Sequence, residues 1–265
     1  MEYKRVISFG DSFTWGSELS DCVTKVHPRD AFFNPDQYLA ENQILKDRLL
    51  GPYSVQALDG SVKTIYDTYS KLTWPALLAQ HLSSEYYCQA WPGTGNQTIT
   101  RKVFEYLYQY EKTDLLVINW TYISRWDYYK NDPLTFPRDR WETIRPDSNS
   151  SVAKFYFEHI HNEPWEKWET LRNIALVVNT LKKHNINFIM TCNDPLAFNN
   201  EYYAVDYIIN CQQEVEDDIV WFEDKGFYDW AIEHNFPVGD DNGHPLDEAH
   251  QAAFEYIRDN YDFTK

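Results

Sequence analysis

Short apolar runs alternate along the chain with longer segments whose apolar residues recur every three to four positions. Runs at 3–9, 86–90, 115–118 and 188–192 have strand length, and 219–221 reads as a short fifth. Between them, Leu77, Leu78 and Leu82 fall on one face of a helix over 74–82 that Thr73 can cap. Ile99, Val103, Tyr106, Leu107 and Tyr110 make the stripe of a second helix, with Asn96 as its cap. A long helix follows Asn162, with Pro164 in its first turn and Trp165, Trp168, Leu171, Ala175, Val178 and Leu181 along one side. Lys182, Lys183 and His184 suit its negative end. The closing helix begins near Pro245, with Asp247 and Glu248 in its first turn and Ala249, Ala253 and Ile257 facing inward. Strand–helix alternation of this kind predicts a parallel sheet covered on both faces.

Two segments break the alternation. Residues 20–70 separate the first strand from the first clear helix, a span that inside a compact domain reads as a lid or binding insertion. Asp59-Gly60 there suits a hairpin turn between 54–57 and 61–64. Residues 127–162, rich in Asp, Pro, Arg and Tyr, form the other. Neither has the apolar pattern of a separate domain, and there is no internal repeat, so a single domain over 1–265 with two insertions is expected.

Charge narrows the partners. With 24 Lys and Arg against 41 Asp and Glu, the formal net charge is −17, which repels phosphate backbones and anionic lipid heads. Nucleic acid is not expected as a partner, and no apolar stretch reaches the roughly 20 residues that cross a bilayer. The first residues lead into a short strand rather than the apolar core of a signal peptide, which points to a cytoplasmic protein. Cys22, Cys88, Cys192 and Cys211 are widely spaced, without a Cys-x-x-Cys pair, and fit reduced thiols with packing roles. Glu158, His159, His161 and Glu163 read as a solvated face of the second insertion rather than a metal site, and no cofactor is called for.

Candidate chemistry concentrates in two turns. In Ile7-Ser8-Phe9-Gly10-Asp11-Ser12 a buried strand ends at a glycine, and a serine follows at the start of a helix. That placement offers an exposed nucleophile, a positive helix end and a backbone N–H for an oxyanion, although a turn capped by Asp11 or Ser12 looks the same. In Asp241-Asn242-Gly243-His244-Pro245 a carboxylate stands three residues before a histidine, a spacing that lets Asp241 accept from the ring and aim its other nitrogen at a serine. A solvated turn reads equally well there. The two motifs reinforce each other because both fall at strand ends, where parallel sheets gather ligands.

On these residues the chain resembles the SGNH, or GDSL, hydrolase superfamily over its whole length, with gaps at the insertions. Gly10-Asp11-Ser12 resembles the nucleophile block, and Asp241 to His244 resembles the block that supplies the other two members of a Ser-His-Asp triad. Ala90-Trp91-Pro92-Gly93-Thr94-Gly95-Asn96 resembles the second block, whose glycine N–H donates to the oxyanion; this role falls to Gly95, with Gly93 behind it. The third block departs from the usual Gly-x-Asn-Asp: the chain has Asn119-Trp120-Thr121-Tyr122, so the donor is Thr121 or Asn119. His250 resembles a frequent second histidine of the closing helix, with a structural role. Asp11, Asn96 and Arg125 are candidates for substrate contact.

The resemblance implies a three-layer α/β/α, flavodoxin-like fold with about five parallel strands. It also implies a serine esterase that acts through an acyl-enzyme on a small-molecule or carbohydrate ester, such as an acetylated sugar. Transfer to an acceptor alcohol would use the same triad. A catalytically weak binding or assembly protein, recognising a glycan or a protein partner through its aromatic insertions, is the alternative on the same scaffold.

Overall fold

The computed structural model describes residues 2–21, 53–56, 62–65, 69–130, 141–240, 243–261 and 263. Its strands are β1 Arg5–Phe9, β2 Tyr53–Gln56, β3 Val62–Ile65, β4 Glu85–Cys88, β5 Asp114–Trp120, β6 Trp126–Tyr129, β7 Trp141–Ile144 and β8 Asn187–Cys192. The α-helices are α1 Ser12–Trp15, α2 Trp74–His81, α3 Asn96–Tyr106, α4 Ser151–His159, α5 Glu163–Lys183, α6 Asp206–Val215, α7 Phe227–Glu233 and α8 Asp247–Asn260.

Four strands form the parallel central sheet in the order β4-β1-β5-β8. The fifth expected strand shrinks to one parallel bridge, Met190 with Ile219, because a 3-10 turn at Glu216–Asp218 precedes it and a tight turn at 222–225 follows. From β1 the chain first adds β4 on one side, then returns to add β5 on the other. The strand order therefore reverses between β1 and β5, and the crevice outside their carboxyl ends is where such sheets hold ligands.

Side-chain alternation builds a core on each face. Along β5, whose seven residues are all buried, Leu116, Ile118 and Trp120 point toward Ile99 and Val103 of α3 and Leu171, Ile174 and Val178 of α5. Leu115 and Val117 point the other way, toward Leu78 of α2, Trp230 of α7 and Ala253 and Ile257 of α8. A strand apolar on both faces is the mark of a parallel sheet covered by helices on each side. Truncating one such residue, Leu116 for example, would cost about 2–5 kcal/mol. Cys88 and Cys192 are buried in β4 and β8 and Cys211 is partly buried; all three are free thiols whose pKa burial pushes up, and Cys22 lies outside the described residues.

The helix starts vary in how their unpaired N–H groups are met. Asn162 caps α5 as expected, accepting from the Trp165 N–H at 3.0 Å. Thr73 makes no side-chain cap; the Trp74 N–H instead donates to Nδ1 of His250 at 3.3 Å. That bond requires a neutral ring, and burial, opposed by Asp247 and reinforced by His244, lowers the His250 pKa to about 3. Asn96 is the first residue of α3 and Gly95 its cap, which releases the Asn96 side chain for other contacts.

Both insertions contain a hairpin. β2 and β3 pair in antiparallel fashion from Tyr53–Ile65 to Gln56–Val62, while the Asp59-Gly60 turn lies outside the described residues. The second insertion pairs β6 with β7 and adds α4. Its hairpin docks on the start of α3 through Asp127, a buried carboxylate that accepts the Thr98 N–H at 2.7 Å and the Thr143 hydroxyl. A Cβ on Gly95 would lie 2.7 Å from both Asp127 oxygens, so only glycine admits this close approach. Burial raises the Asp127 pKa despite those donors.

Gly95→Ala is expected to cost about 1–3 kcal/mol through overpacking against this carboxylate, read as a lower urea midpoint at unchanged slope. His250 gives a pH signature. Its folded pKa lies below its unfolded value of about 6.5, so the unfolded chain takes up the proton first, and stability falls as pH drops from about 6.5 toward 3. Between pH 6.5 and 5 this amounts to about 2 kcal/mol. His250→Gln should be less stable at pH 7 and should lack that component of the slope in urea titrations across the range.

Candidate active site

Ser12 is the first residue of the one-turn helix α1, directly beyond the carboxyl end of β1. Asp11 is its cap, accepting the Phe13 N–H at 3.1 Å. Four residues align too few peptide dipoles to supply much of the positive field the sequence suggests. Ser12 is also less open than expected, 6% exposed, because the second-block turn sits over the strand end, with the Trp91 N–H on the Gly10 carbonyl at 3.1 Å.

Asp11, Asn96, Thr121 and Arg125 form one buried network that ties the first three motif regions together. Asp11 Oδ2 accepts the Thr121 hydroxyl at 2.7 Å and Arg125 Nη1 at 3.1 Å. The same Arg125 nitrogen donates to the Thr94 carbonyl at 3.0 Å, and its guanidinium lies 5.3 Å from the Tyr122 ring centre. Asn96 brackets the Thr121 backbone, accepting its N–H at 2.8 Å and donating to its carbonyl at 3.0 Å. Asp11 and Asn96, expected at the substrate, thus have these polar atoms turned to protein partners. Arg125 is a structural clamp that also faces a cavity.

The third-block residues divide. Thr121 gives its hydroxyl proton to Asp11, whereas Asn119 Oδ1 accepts the Thr191 hydroxyl at 2.9 Å, leaving its amide nitrogen directed away from that bond. Gly95 N–H makes a long 3.3 Å bond to the Thr143 hydroxyl.

His244 comes to the turn that carries Ser12. Its ring packs edge-on against Phe13, the residue after Ser12, with centroids 5.3 Å apart. Asp241 lies outside the described residues, and the carboxylate found at His244 Nδ1 is that of Glu18, at 2.5 Å. One local signal marks Glu18: its position six residues past the serine, in a Gly-x-Glu turn. Spacing to His244, which is 226 positions away, carries none.

Beside Arg125 lies a cavity of about 480 Å³, lined by Trp126, Trp141, Trp165, Glu169 and Asn173 among others. Trp165 belongs to the stripe read as core, yet it is half exposed at this cavity. Tyr156 stacks on Trp126 at 4.3 Å and 11°, fixing that wall. His161 Nδ1 sits 2.8 Å from Glu166, while His159 Nε2 lies 3.8 Å from Glu158 and its ring packs on Phe155. Among the described residues no group of three or more His, Cys, Asp and Glu is placed to hold a metal. Nor is any described helix long and apolar enough to cross a membrane.

No protein-family model and no curated protein sequence matches the chain. Among solved structures, 97% of the chain is similar to 98% of a member of the lipolytic protein G-D-S-L family from Veillonella parvula, at 7% identity and a TM-score of 0.46. It is similar to a psychrotrophic esterase from Pseudoalteromonas over 97% of this chain and 95% of that one, at 12% identity and a TM-score of 0.45. An acetyl xylan esterase from Geobacillus stearothermophilus is similar over all of both chains, at 12% identity and a TM-score of 0.44.

Proposed function

We propose that the chain is a serine ester hydrolase built as one domain, with Ser12 as nucleophile and His244 as base. The observation that carries this is the meeting of the two motifs at the carboxyl edge of the sheet: His244 packs on the residue that follows Ser12, with a carboxylate at its Nδ1. An imidazole held at Nδ1 keeps Nε2 free to take a proton. Ser12 Oγ attacks the ester carbonyl and its proton passes to His244. The alcohol leaves with that proton, and water, deprotonated by His244, then releases the acyl group as the acid.

The developing oxyanion is assigned to the Ser12 and Gly95 N–H groups. The third donor is assigned to the Asn119 amide rather than Thr121, whose hydroxyl proton is engaged by Asp11. To take this role the Gly95 N–H turns from the Thr143 hydroxyl and the Asp127 carboxylate that it faces. The alcohol part of the ester is assigned to the cavity beside Arg125. Its exposed Trp165 face suits a sugar ring, which favours an acylated carbohydrate as substrate.

A fluorophosphonate probe should label the folded wild-type protein at one site and leave Ser12→Ala unlabelled. Hydrolysis of an activated acetyl ester should fall by about 10⁴-fold or more in that variant. Equal rates for the two proteins would end the hydrolase reading, and absence of labelling in folded wild type would favour the binding protein on this scaffold.

A further inference from the structure

We propose that Glu18, in the turn that follows the nucleophile helix, is the carboxylate that positions His244. The inference rests on the hydrolase reading above and replaces the spacing-based candidate, Asp241, in that role. Four observations converge on it. Glu18 Oε2 lies 2.5 Å from His244 Nδ1, and the same oxygen accepts the His244 backbone N–H at 3.2 Å, so ring and backbone are held together. Glu18 has a left-handed backbone, φ 70°, a conformation unfavourable for a non-glycine residue and enforced by the surrounding structure. Gly239 makes room for the carboxyl group: a Cβ there would come within 2.5 Å of it. Gly239 itself donates its N–H to the His244 carbonyl at 2.8 Å, which ties the residue beside the carboxyl group to the histidine it holds.

The neighbouring residues fix the arm from the other side. Leu19 is buried at 2% exposure, and Ser20 gives both its N–H, at 3.1 Å, and its hydroxyl to Asp247 at the start of α8. Both ends of the chain are therefore joined to one rigid junction, and the carboxylate needs no rearrangement to hold the ring. Glu18 touches no reacting atom in this arrangement. Its effect passes through the tautomer and orientation of His244 and through stabilisation of the imidazolium that forms after proton transfer.

The test compares Glu18→Gln, Glu18→Asp and Asp241→Asn in the full-length chain, with an activated acetyl ester. Glu18→Gln should lower kcat by roughly 10²–10⁴-fold with little change in KM. Glu18→Asp should recover part of the loss. A larger loss of kcat from Asp241→Asn than from Glu18→Gln overturns the proposal. Proton NMR separates this outcome from failure of the hydrolase reading. A far-downfield imidazole N–H signal should appear in wild type, persist in Asp241→Asn and vanish in folded Glu18→Gln, whether or not the protein cleaves esters. Persistence of the signal in Glu18→Gln overturns the proposal on its own, and its loss in a protein without esterase activity upholds the geometry while removing the enzymatic role.

Discussion

A sheet buried on both faces leaves its strand ends as the place where polar groups can be held, and this constraint governs where everything else in the molecule falls. β5 has no exposed residue, so the polarity of its carboxyl end, from Asn119 to Thr121, must be answered by side chains from other elements. Asn96 answers the Thr121 backbone and Thr191 answers the Asn119 side chain. The Asn193 N–H takes the Trp120 carbonyl at 2.9 Å. Because these partners come from the start of α3 and from the end of β8, meeting these groups at once fixes both elements relative to β5. The site's geometry is then a by-product of satisfying the sheet edge.

A second constraint joins the two ends of the chain. The turn after Ser12 meets the turn before α8 through Glu18 and Ser20, on His244 and Asp247. Closing a loop of more than two hundred residues has a logarithmic entropic cost, so the added length weighs little once α8 packs on α2 through the core. His250 serves the same docking from the buried side, since its Nδ1 receives the first N–H of α2. Helix α8 thus follows a partly buried histidine held by a carboxylate and carries a fully buried neutral histidine in its own first turn.

Much of this was legible from residue order. Apolar runs and period-3.6 patterns locate the four strands and helices α2, α3, α5 and α8, because β5 and its neighbours are apolar on both sides and α5 and α8 carry one-sided stripes; α4, α6 and α7 are not read from the pattern. The fifth strand is not legible, since Ile219-Val220-Trp221 has strand composition but sits between two turns that leave room for a single bridge. Asn96 reads as a cap by residue type, yet its side chain is drawn to Thr121, a tertiary demand that local propensity does not register. The Ser12 and His244 turns stand out because glycine, a nucleophile and an imidazole cluster at element boundaries. Glu18 and Asp127 do not stand out, for each acts through a contact with a glycine distant in sequence, where the informative feature is a missing Cβ.

The departure at the third block acquires a physical sense from Asp11. A carboxylate with no solvent exposure is tolerated only with its oxygens met, and here three donors meet them: the Phe13 N–H, the Thr121 hydroxyl and Arg125. Such a buried ion pair adds little net stability, because desolvation offsets most of the attraction, but removing one partner leaves an uncompensated charge. Its contribution is to geometry, since Arg125 reaches Asp11 and the Thr94 carbonyl with one nitrogen and so fixes the nucleophile turn against the second-block turn. The threonine at position 121 is part of that clamp, since its hydroxyl donates to Asp11. Under the hydrolase reading, positioning of the nucleophile and donation to the oxyanion are then divided between Thr121 and Asn119, two residues apart at the same strand end.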